Sequence, residues 1–500
     1  MDPAAVLRSR LGFPAFKPGQ EQLIRAVLEG EDALGVLPTG GGKSVCYQLP
    51  AMMLDGLVLV VSPLISLMED QVGRARAVGL RAHYLASGQP RGERGWVVDA
   101  LASRQVDLLF VSPERLSIGW FRQVLQRVPL AVLAIDEAHC ISEWGHDFRP
   151  AYREIGGFRA QIPACVPVLA LTASATPAVR RDVSTSLGLR SPSTVVQSFD
   201  RRNLWWAIEA VPRSRDRLGL LAGRVFHTRG ACIVYAPTRN AVESVRRRLV
   251  RAGISAEAYH AGLPRAVRSD VQSRFMEGRN RVVVATNAFG MGIDKPDVRF
   301  VVHLHLPASL EAYFQEAGRA GRDGESAVCL AYHAPADRGV ARRLIDRSHP
   351  TELSMRWLDS RLRRAAGPGR ILDCADERAL RLFGPEIAEW QRGDGAGGLA
   401  GLQRIGAIRV AGIRFLEGVP IPGALQMLER PDWCRARRLR RKALGRLVAV
   451  HRHASGRGCR TRGLLRYFGE ISEVRCGHCD RCGWDSAMGC SLPDGSIPDC

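Results

Sequence analysis

Three consecutive glycines followed by Lys43 and Ser44 interrupt an apolar run that begins at Leu34. Because glycine has no Cβ atom, the backbone N–H groups of such a loop can approach phosphate oxygens, and a helix beginning near Lys43 adds the positive end of its dipole. In loops of this type the lysine bridges the β- and γ-phosphates of a nucleotide and the hydroxyl ligates Mg²⁺. Leu37 occupies the position of the first glycine in the strict pattern, so an ordinary glycine-rich turn is an alternative. The residues that would hold the nucleotide are Thr39, Gly40, Gly41, Gly42, Lys43 and Ser44.

A pair of adjacent acids, Asp136 and Glu137, follows an apolar segment that ends at Ile135. Carboxylates ligate Mg²⁺, and a carboxylate beside a bound nucleotide can orient or deprotonate the attacking water. We expect Asp136 to hold the Mg²⁺ shell and Glu137 to act on the water. Upstream, Gln20 could pair with the edge of a purine while Phe13 stacks on its face; a surface turn with core aromatics is the alternative.

The loop from Cys140 to Pro150 contains two large aromatics and an arginine, Trp144, Phe148 and Arg149. Loops run over the protein surface, so these side chains are expected to meet a ligand rather than a core. Bases of a single-stranded nucleic acid stack on such groups with about 1–3 kcal/mol each. Since the loop directly follows the acidic pair, we expect it to couple strand binding to hydrolysis.

Short aliphatic runs alternate with helical stretches along the first two thirds of the chain, which predicts an α/β fold with parallel sheets covered on both faces. A second unit of this kind begins near Ser198 and lacks a phosphate loop. Near its end, Gln315 to Arg322 carries Arg319 and Arg322, which could reach a γ-phosphate held by the first unit. Surface arginines of a basic protein are the alternative. The predicted strands are 57–61, 108–111, 132–135, 168–171, 231–235, 256–259, 281–285 and 300–303.

Four cysteines near the C-terminus are spaced as C-x16-C-x2-C-x2-C, namely Cys459, Cys476, Cys479 and Cys482. Two tight two-residue gaps between thiolates suit tetrahedral Zn²⁺, with Zn–S bonds of about 2.3 Å. Buried unligated cysteines and an iron–sulfur cluster are the alternatives.

Taken in order, these motifs resemble the RecQ family of superfamily 2 helicases, from Gly12 to Gly324 and again in the zinc module around 463–470. The resemblance implies two RecA-like domains, ATP and Mg²⁺ at the first, Zn²⁺ on the four cysteines, and 3′→5′ unwinding of DNA. It assigns adenine recognition to Phe13, Lys17 and Gln20, with Lys17 standing where the family usually has arginine. It assigns stabilisation of the transition state for ATP hydrolysis to Gln315, Arg319 and Arg322, with Arg322 as the arginine finger. The expected nucleic-acid contacts are Ser62, Trp144, Phe148, Arg149 and His260.

The composition agrees with a multidomain protein that binds a polyanion. The chain has 500 residues, 46% of them hydrophobic, and a formal net charge of +21. Clustered lysine and arginine gain affinity for nucleic acid by releasing counterions from phosphates. With no signal peptide and no apolar run of about 18 residues, we expect a cytoplasmic, nucleoid-associated protein that does not bind membranes. We also expect a monomer; a single-strand-binding protein is a candidate partner that the sequence does not specify.

The segment before the zinc module has no counterpart in the family's usual order. We expect domains at 1–198 and 199–347, an accessory segment at 348–432, the zinc module at 433–485 and a tail at 486–500, with no C-terminal helical nucleic-acid-binding domain. Two helical patterns and a predicted hairpin, Ala407–Val410 with Ile413–Leu416, favour a winged helix; a small α+β spacer is the alternative. For the whole chain, an RNA helicase and a tethering or annealing protein with a weak motor are the rival functions.

Overall fold

The computed structural model describes residues 2–484 except 39, 87–88, 90, 144, 146–148, 291–292, 367–370, 375, 392–396, 417–418, 429–430 and 474. Its contacts divide the chain into two compact units. The first comprises Met1–His305, Glu311–His333 and the chain from Gly456 onward; the second comprises Leu306–Leu310 and Ala334–Ser455. Among the described residues, no helix is both long and apolar enough to cross a membrane.

The first domain of the first unit is built on a parallel seven-stranded sheet in the order β3-β4-β2-β5-β6-β1-β7. Its inner strands are aliphatic and almost wholly buried, because helices cover both faces. The strands are β1 (Ala33–Val36), β2 (Leu57–Val61), β3 (Ala82–Leu85), β4 (Leu108–Val111), β5 (Leu130–Ile135), β6 (Val168–Thr172) and β7 (Ser193–Val196). The helices are α1 (Pro3–Leu11), α2 (Gln20–Leu28), α3 (Val45–Met53), α4 (Ile65–Ala77), α5 (Arg91–Ala102), α6 (Gly119–Gln126), α7 (Pro150–Arg159) and α8 (Pro177–Leu187), with short 3₁₀ turns at Pro113–Ser117 and Ala138–Ile141.

The second domain has a parallel sheet of the same kind, in the order β10-β11-β9-β12-β13-β8. The strands are β8 (Leu204–Ala210), β9 (Ala231–Tyr235), β10 (Ala256–Tyr259), β11 (Val282–Ala285), β12 (Val298–His303) and β13 (Ala327–His333). The helices are α9 (Ser214–His227), α10 (Arg239–Arg251), α11 (Arg265–Met276) and α12 (Leu310–Ala317). The predicted α/β class with two parallel-sheet domains is confirmed.

The described residues of the second unit form five helices and a three-stranded antiparallel sheet in the order β14-β16-β15. The helices are α13 (Asp337–Ser348), α14 (Glu352–Ala366), α15 (Glu377–Gln391), α16 (Gly397–Arg404) and α17 (Trp433–Ser455), and the strands are β14 (Ile371–Asp373), β15 (Ile408–Leu416) and β16 (Val419–Met427). Buried side chains of α14, α15, α16, the sheet and the start of α17 share one core. Helix α17, which follows the boundary predicted at 432/433, also packs Ala443 and Leu447 on Ala341 and Ile345 of α13, so it belongs to the second compact unit.

The predicted hairpin is wrong in its position along the chain. Residues 407–410 and 413–416 lie in one continuous strand, β15, which pairs with β16 from Ile408↔Met427 to Leu416↔Val419. Gly412 does not form the turn because backbone pairing continues through it. Strand β14 pairs with β16 only from Ala424 to Gln426. From Val419 to Gly423 this edge of β16 has no partner strand among the described residues, so Pro420 and Pro422 cost no ladder hydrogen bond there.

After α17 the chain returns to the first unit through α18 (Arg460–Tyr467), β17 (His478–Cys479) and β18 (Gly483–Trp484). Strand β17 adds to the edge of the second domain's sheet, with Cys479 opposite Trp206 of β8. Around it, Phe468 stacks on Phe199 with ring centroids 4.4 Å apart, and Glu470 accepts hydrogen bonds from Ser198 and from the N–H of Phe199. These contacts hold the segment that connects the two domains.

Candidate functional site

The glycine loop joins β1 to α3, and Ser44 directly precedes the helix without a capping hydrogen bond from its side chain. Leu37, which replaces the first glycine of the strict pattern, is completely buried in the core of the first domain. Gly40 and Gly42 have φ of +82° and +72°, which side chains with a Cβ rarely adopt. A Cβ on Gly42 would also collide with the amide of Gln20. The loop therefore requires glycine at this position. Thr39 lies outside the described residues.

Gln20 holds the loop in this structure. Its Nε2 donates to the carbonyl oxygens of Gly42 (2.9 Å) and Gly41 (3.3 Å), while its Oε1 accepts from the N–H of Lys17 (2.8 Å). Lys17 Nζ donates to the carbonyl of Gly40 at 2.8 Å. The side-chain amide of Gln20, which is predicted to recognise adenine, is thus hydrogen-bonded to the glycine loop. Phe13 is 48% exposed, which leaves its ring open for stacking.

Lys43, Asp136 and Glu137 meet at the carboxyl ends of β1 and β5. Lys43 Nζ lies 3.7 Å from Glu137 Oε1. Asp136 accepts the N–H of Glu137 at 2.9 Å. Burial and, after it, the charge of Glu137 raise the pKa of Asp136 to about 6. Glu137 has φ of +48°, a left-handed conformation that is unusual for this residue type.

The structure adds two residues to the acidic pair that were not predicted as site residues. His139 is buried, and its Nδ1 lies 2.9 Å from Thr172 Oγ1 and 3.3 Å from Glu137 Oε2. Thr172 ends β6, the strand between β1 and β5. Tyr152 donates its hydroxyl to the carbonyl of Asp136 at 3.1 Å. A histidine two positions after the acids was the only signal in the sequence for this connection.

The residues predicted to contact nucleic acid differ in how the structure describes them. Trp144 and Phe148 lie outside the described residues. Arg149 donates to the carbonyl of Pro63 at 2.9 Å, which links the loop to the end of β2. Ser62 and His260 are 1% and 7% exposed, so neither side chain is open to a strand in this structure. His260 Nε2 lies 3.2 Å from Glu243 Oε1.

Arg319 and Arg322, which follow α12, are almost buried. Arg319 lies beside Gly290, where a Cβ would come within 3.0 Å of its Nη2. Arg322 Nη1 donates to Asp294 Oδ1 at 2.6 Å. Among the described residues, the Nε atoms of both arginines are buried and have no hydrogen-bond partner. Gln315 lies half-buried on α12.

The four predicted zinc ligands come together. The Sγ atoms of Cys459, Cys476, Cys479 and Cys482 lie within 4.8 Å of one another, and none forms a disulfide. Tetrahedral Zn²⁺ with bonds of about 2.3 Å requires thiolates about 3.8 Å apart, so the cluster fits this ion with small adjustments. Backbone N–H groups donate to three of the sulfurs at 3.4 Å, which stabilises thiolate charge.

Family models match most of the two parallel-sheet domains and the cysteine module. A DEAD/DEAH box helicase model matches residues 17–183, a helicase conserved C-terminal domain model 218–324, and a RecQ zinc-binding model 425–483.

Curated relatives match from about two thirds to nearly all of the chain. "ATP-dependent DNA helicase RecQ" of Haemophilus influenzae is 45% identical over 342 residues, which are 68% of this chain and 55% of the relative. The chain thus spans about half the length of that relative, as it does of the Pasteurella multocida RecQ, at 53%. "Probable ATP-dependent DNA helicase RecS" of Bacillus subtilis is 36% identical over 482 residues, 95% of this chain and 91% of the relative.

Solved structures with low sequence identity share the fold. Mycobacterium smegmatis helicase Lhr bound to ssDNA and AMP-PNP matches with a TM-score of 0.55 and 21% identity, covering 88% of this chain and 62% of that one. S. cerevisiae Dbp5 bound to RNA and ADP BeF3 matches with a TM-score of 0.54 and 16% identity, over 69% of this chain and 90% of that one.

Proposed function

Because this chain belongs to the RecQ family of superfamily 2 helicases, we propose that it is an ATP-dependent DNA helicase. Hydrolysis would drive 3′→5′ translocation on single-stranded DNA and unwinding of duplexes during DNA repair and recombination. The observation that carries the proposal is the meeting of Lys43 and Glu137 at 3.7 Å beside the buried carboxyl of Asp136. A lysine and two acids at adjoining strand ends can hold a nucleotide phosphate, its metal and the attacking water.

Each residue of this group has a distinct role in the proposal. Lys43 neutralises the β- and γ-phosphates, and the loop N–H groups from Gly40 to Gly42 cradle them. Ser44 and Asp136 would hold Mg²⁺, which when bound neutralises charge on the phosphates. Glu137 orients the water, and Arg322 stabilises the charge that develops on the transferred phosphoryl group. His139 keeps the Glu137 carboxylate in place through its contact at 3.3 Å.

The DNA strand would couple to this site through the loop 140–150. Trp144 and Phe148 supply rings for stacking, and Arg149, bonded to Pro63, connects the loop to the end of β2. A strand that occupies the rings changes the loop next to Glu137. Hydrolysis would accordingly depend on DNA more strongly than nucleotide binding does.

The segment 348–432 is proposed to be a winged helix whose hairpin separates the duplex. In its favour, α14, β14, α15, α16, β15 and β16 follow one another in the order helix, strand, helix, helix, hairpin. Helix α16 is mostly buried: a Cβ on Gly401 would come within 2.8 Å of Met355 Sδ. The hairpin therefore offers DNA a better surface than α16 does, and the exposed Arg409 lies on it.

The finer expectations also belong to this proposal. The chain would act as a monomer on DNA at the nucleoid, and a single-strand-binding protein is a candidate partner. ATPase assays with DNA, with RNA and without polynucleotide test the proposal against its rivals. We expect single-stranded DNA to stimulate hydrolysis well above RNA. Stronger stimulation by RNA would favour an RNA helicase, and no hydrolysis under any condition would favour a tethering or annealing protein.

A further inference from the structure

One carboxylate connects the candidate finger to the opposite domain. Asp294 Oδ1 accepts from Arg322 Nη1 at 2.6 Å, and its Oδ2 accepts from Arg74 Nη1 at 2.7 Å. Asp294 and Arg322 belong to the second domain, whereas Arg74 lies on α4 of the first. Asp294 therefore holds Arg322 and at the same time links the two domains.

The burial and charges of the three side chains explain why Arg322 pairs with Asp294. Only 9% of the Arg322 side chain is exposed, against 42% for Asp294 and 47% for Arg74. Burial, reinforced by the charge of Arg319, lowers the pKa of Arg322 to about 10. Burial alone would raise the pKa of Asp294, but the two arginines outweigh it and lower that pKa. A nearly buried guanidinium needs an anion, and Asp294 supplies it.

We propose that Asp294 is a positioning residue that holds Arg322 until the γ-phosphate of ATP displaces it, and that Arg74 makes this exchange easier. The inference rests on the proposed function. A carboxylate and a phosphate compete for the same guanidinium donors. When Arg322 moves to the phosphate, Asp294 stays paired with Arg74, so its charge is not left without a partner. Without Arg74, release of Arg322 would leave the carboxylate alone.

A structural link between the domains is the competing explanation, and the chain offers a matched control for it. Arg265 of α11 donates to Glu69 of α4 at 3.0 Å. This ion pair also joins the two domains and shares α4 with Arg74, but it does not touch the finger. Arg265→Ala thus removes a link of the same kind without affecting Arg322.

The test compares Asp294→Asn, Arg74→Ala and Arg265→Ala in the full chain, measuring ATP hydrolysis and KM for ATP with and without single-stranded DNA. We expect Asp294→Asn to raise DNA-independent hydrolysis several-fold and to reduce the stimulation by DNA. We expect Arg74→Ala to act in the opposite direction, with a higher KM for ATP and lower DNA-independent hydrolysis. Arg265→Ala should change neither.

Opposite signs for the first two variants support the proposal, because both remove the same link between the domains. A common direction shared with Arg265→Ala, or no change in Asp294→Asn, overturns it. Arg74→Ala keeps Arg322 paired and alters an exposed site, so it tests the proposal alone if Asp294→Asn does not fold. An unmodified chain that hydrolyses no ATP would instead refute the proposed function.

Discussion

Lys43 is the residue whose loss should separate hydrolysis from DNA binding. It is expected to contact phosphates of the nucleotide, while the strand is held by other groups. Lys43→Ala should therefore lower ATP hydrolysis by at least ~100-fold, as removal of a charged transition-state donor does. Fluorescence anisotropy should show single-stranded DNA binding within a few-fold of the original. Lys442→Ala, in the second unit, is the control, and near-normal turnover in Lys43→Ala would refute the nucleotide assignment.

At the residue scale, the sequence predicts the site where a pattern implies local geometry. The glycines, Lys43 and the acid pair are predicted correctly at strand ends, because a strand–loop–helix pattern can be recognised from neighbouring residues alone. The burial of Ser62 and His260 depends on which segments pack over the ends of β2 and β10. The neighbouring residues in the sequence do not predict this packing. The bonds from Gln20 to the loop likewise join segments 21 and 22 positions apart.

The loop 140–150 is the element expected to report strand occupancy. Trp144→Ala or Phe148→Ala should reduce DNA-stimulated hydrolysis much more than the basal rate. Each lost stacking contact of about 1–3 kcal/mol corresponds to roughly 5- to 150-fold weaker strand binding. Titrating single-stranded DNA in a coupled ATPase assay measures both quantities. An equal loss of the basal and the stimulated rate would mean that the rings serve only the fold.

The hairpin β15–β16 is the element expected to act on the duplex. Arg409→Glu together with Arg414→Glu should impair strand displacement and leave DNA-stimulated ATPase unchanged, since charge reversal repels phosphates without touching the nucleotide site. Strand-displacement and ATPase assays on the same preparation decide this. Unwinding at full rate would remove the strand-separation role, and joint loss of both activities would favour a purely structural segment.

The eight strands that the sequence predicts in the two parallel-sheet domains agree with the structure to within two residues, but β3, β7, β8 and β13 were not predicted and this hairpin is misplaced. Short, continuous aliphatic runs rich in valine, such as Leu57–Val61, favour buried strands of a parallel sheet. In β15, Ala411-Gly412 resembles a turn, yet the pairing of Ala411 with Ala424 and of Ile413 with Pro422 on the partner strand keeps the chain extended. Turn composition was therefore overruled by a cross-strand register that one strand alone does not reveal.

For the whole molecule, the zinc cluster should stabilise more than its own module. Structural Zn²⁺ contributes about 10–16 kcal/mol of binding free energy in small zinc domains. Because Cys479 pairs with Trp206 and His478 donates to the carbonyl of Leu204 at 2.9 Å, this energy reaches β8. Cys479→Ser should yield protease-sensitive protein, and hydrogen exchange should accelerate in β8. One Zn²⁺ per chain is expected by metal analysis; iron or visible absorbance would overturn the assignment, and Cys434→Ser is the control.

The return of the chain to the first unit has a consequence for synthesis on the ribosome. Strand β8 gains its outer neighbour only when β17 has been made, and residues 334–455 are translated in between. At about 5–20 residues per second this segment takes roughly 6–25 s to emerge. During that time the edge of β8 offers unpaired backbone groups to other nascent chains. Zinc supply and chaperone access in this interval, rather than the stability of the finished protein, would then set the yield of active molecules.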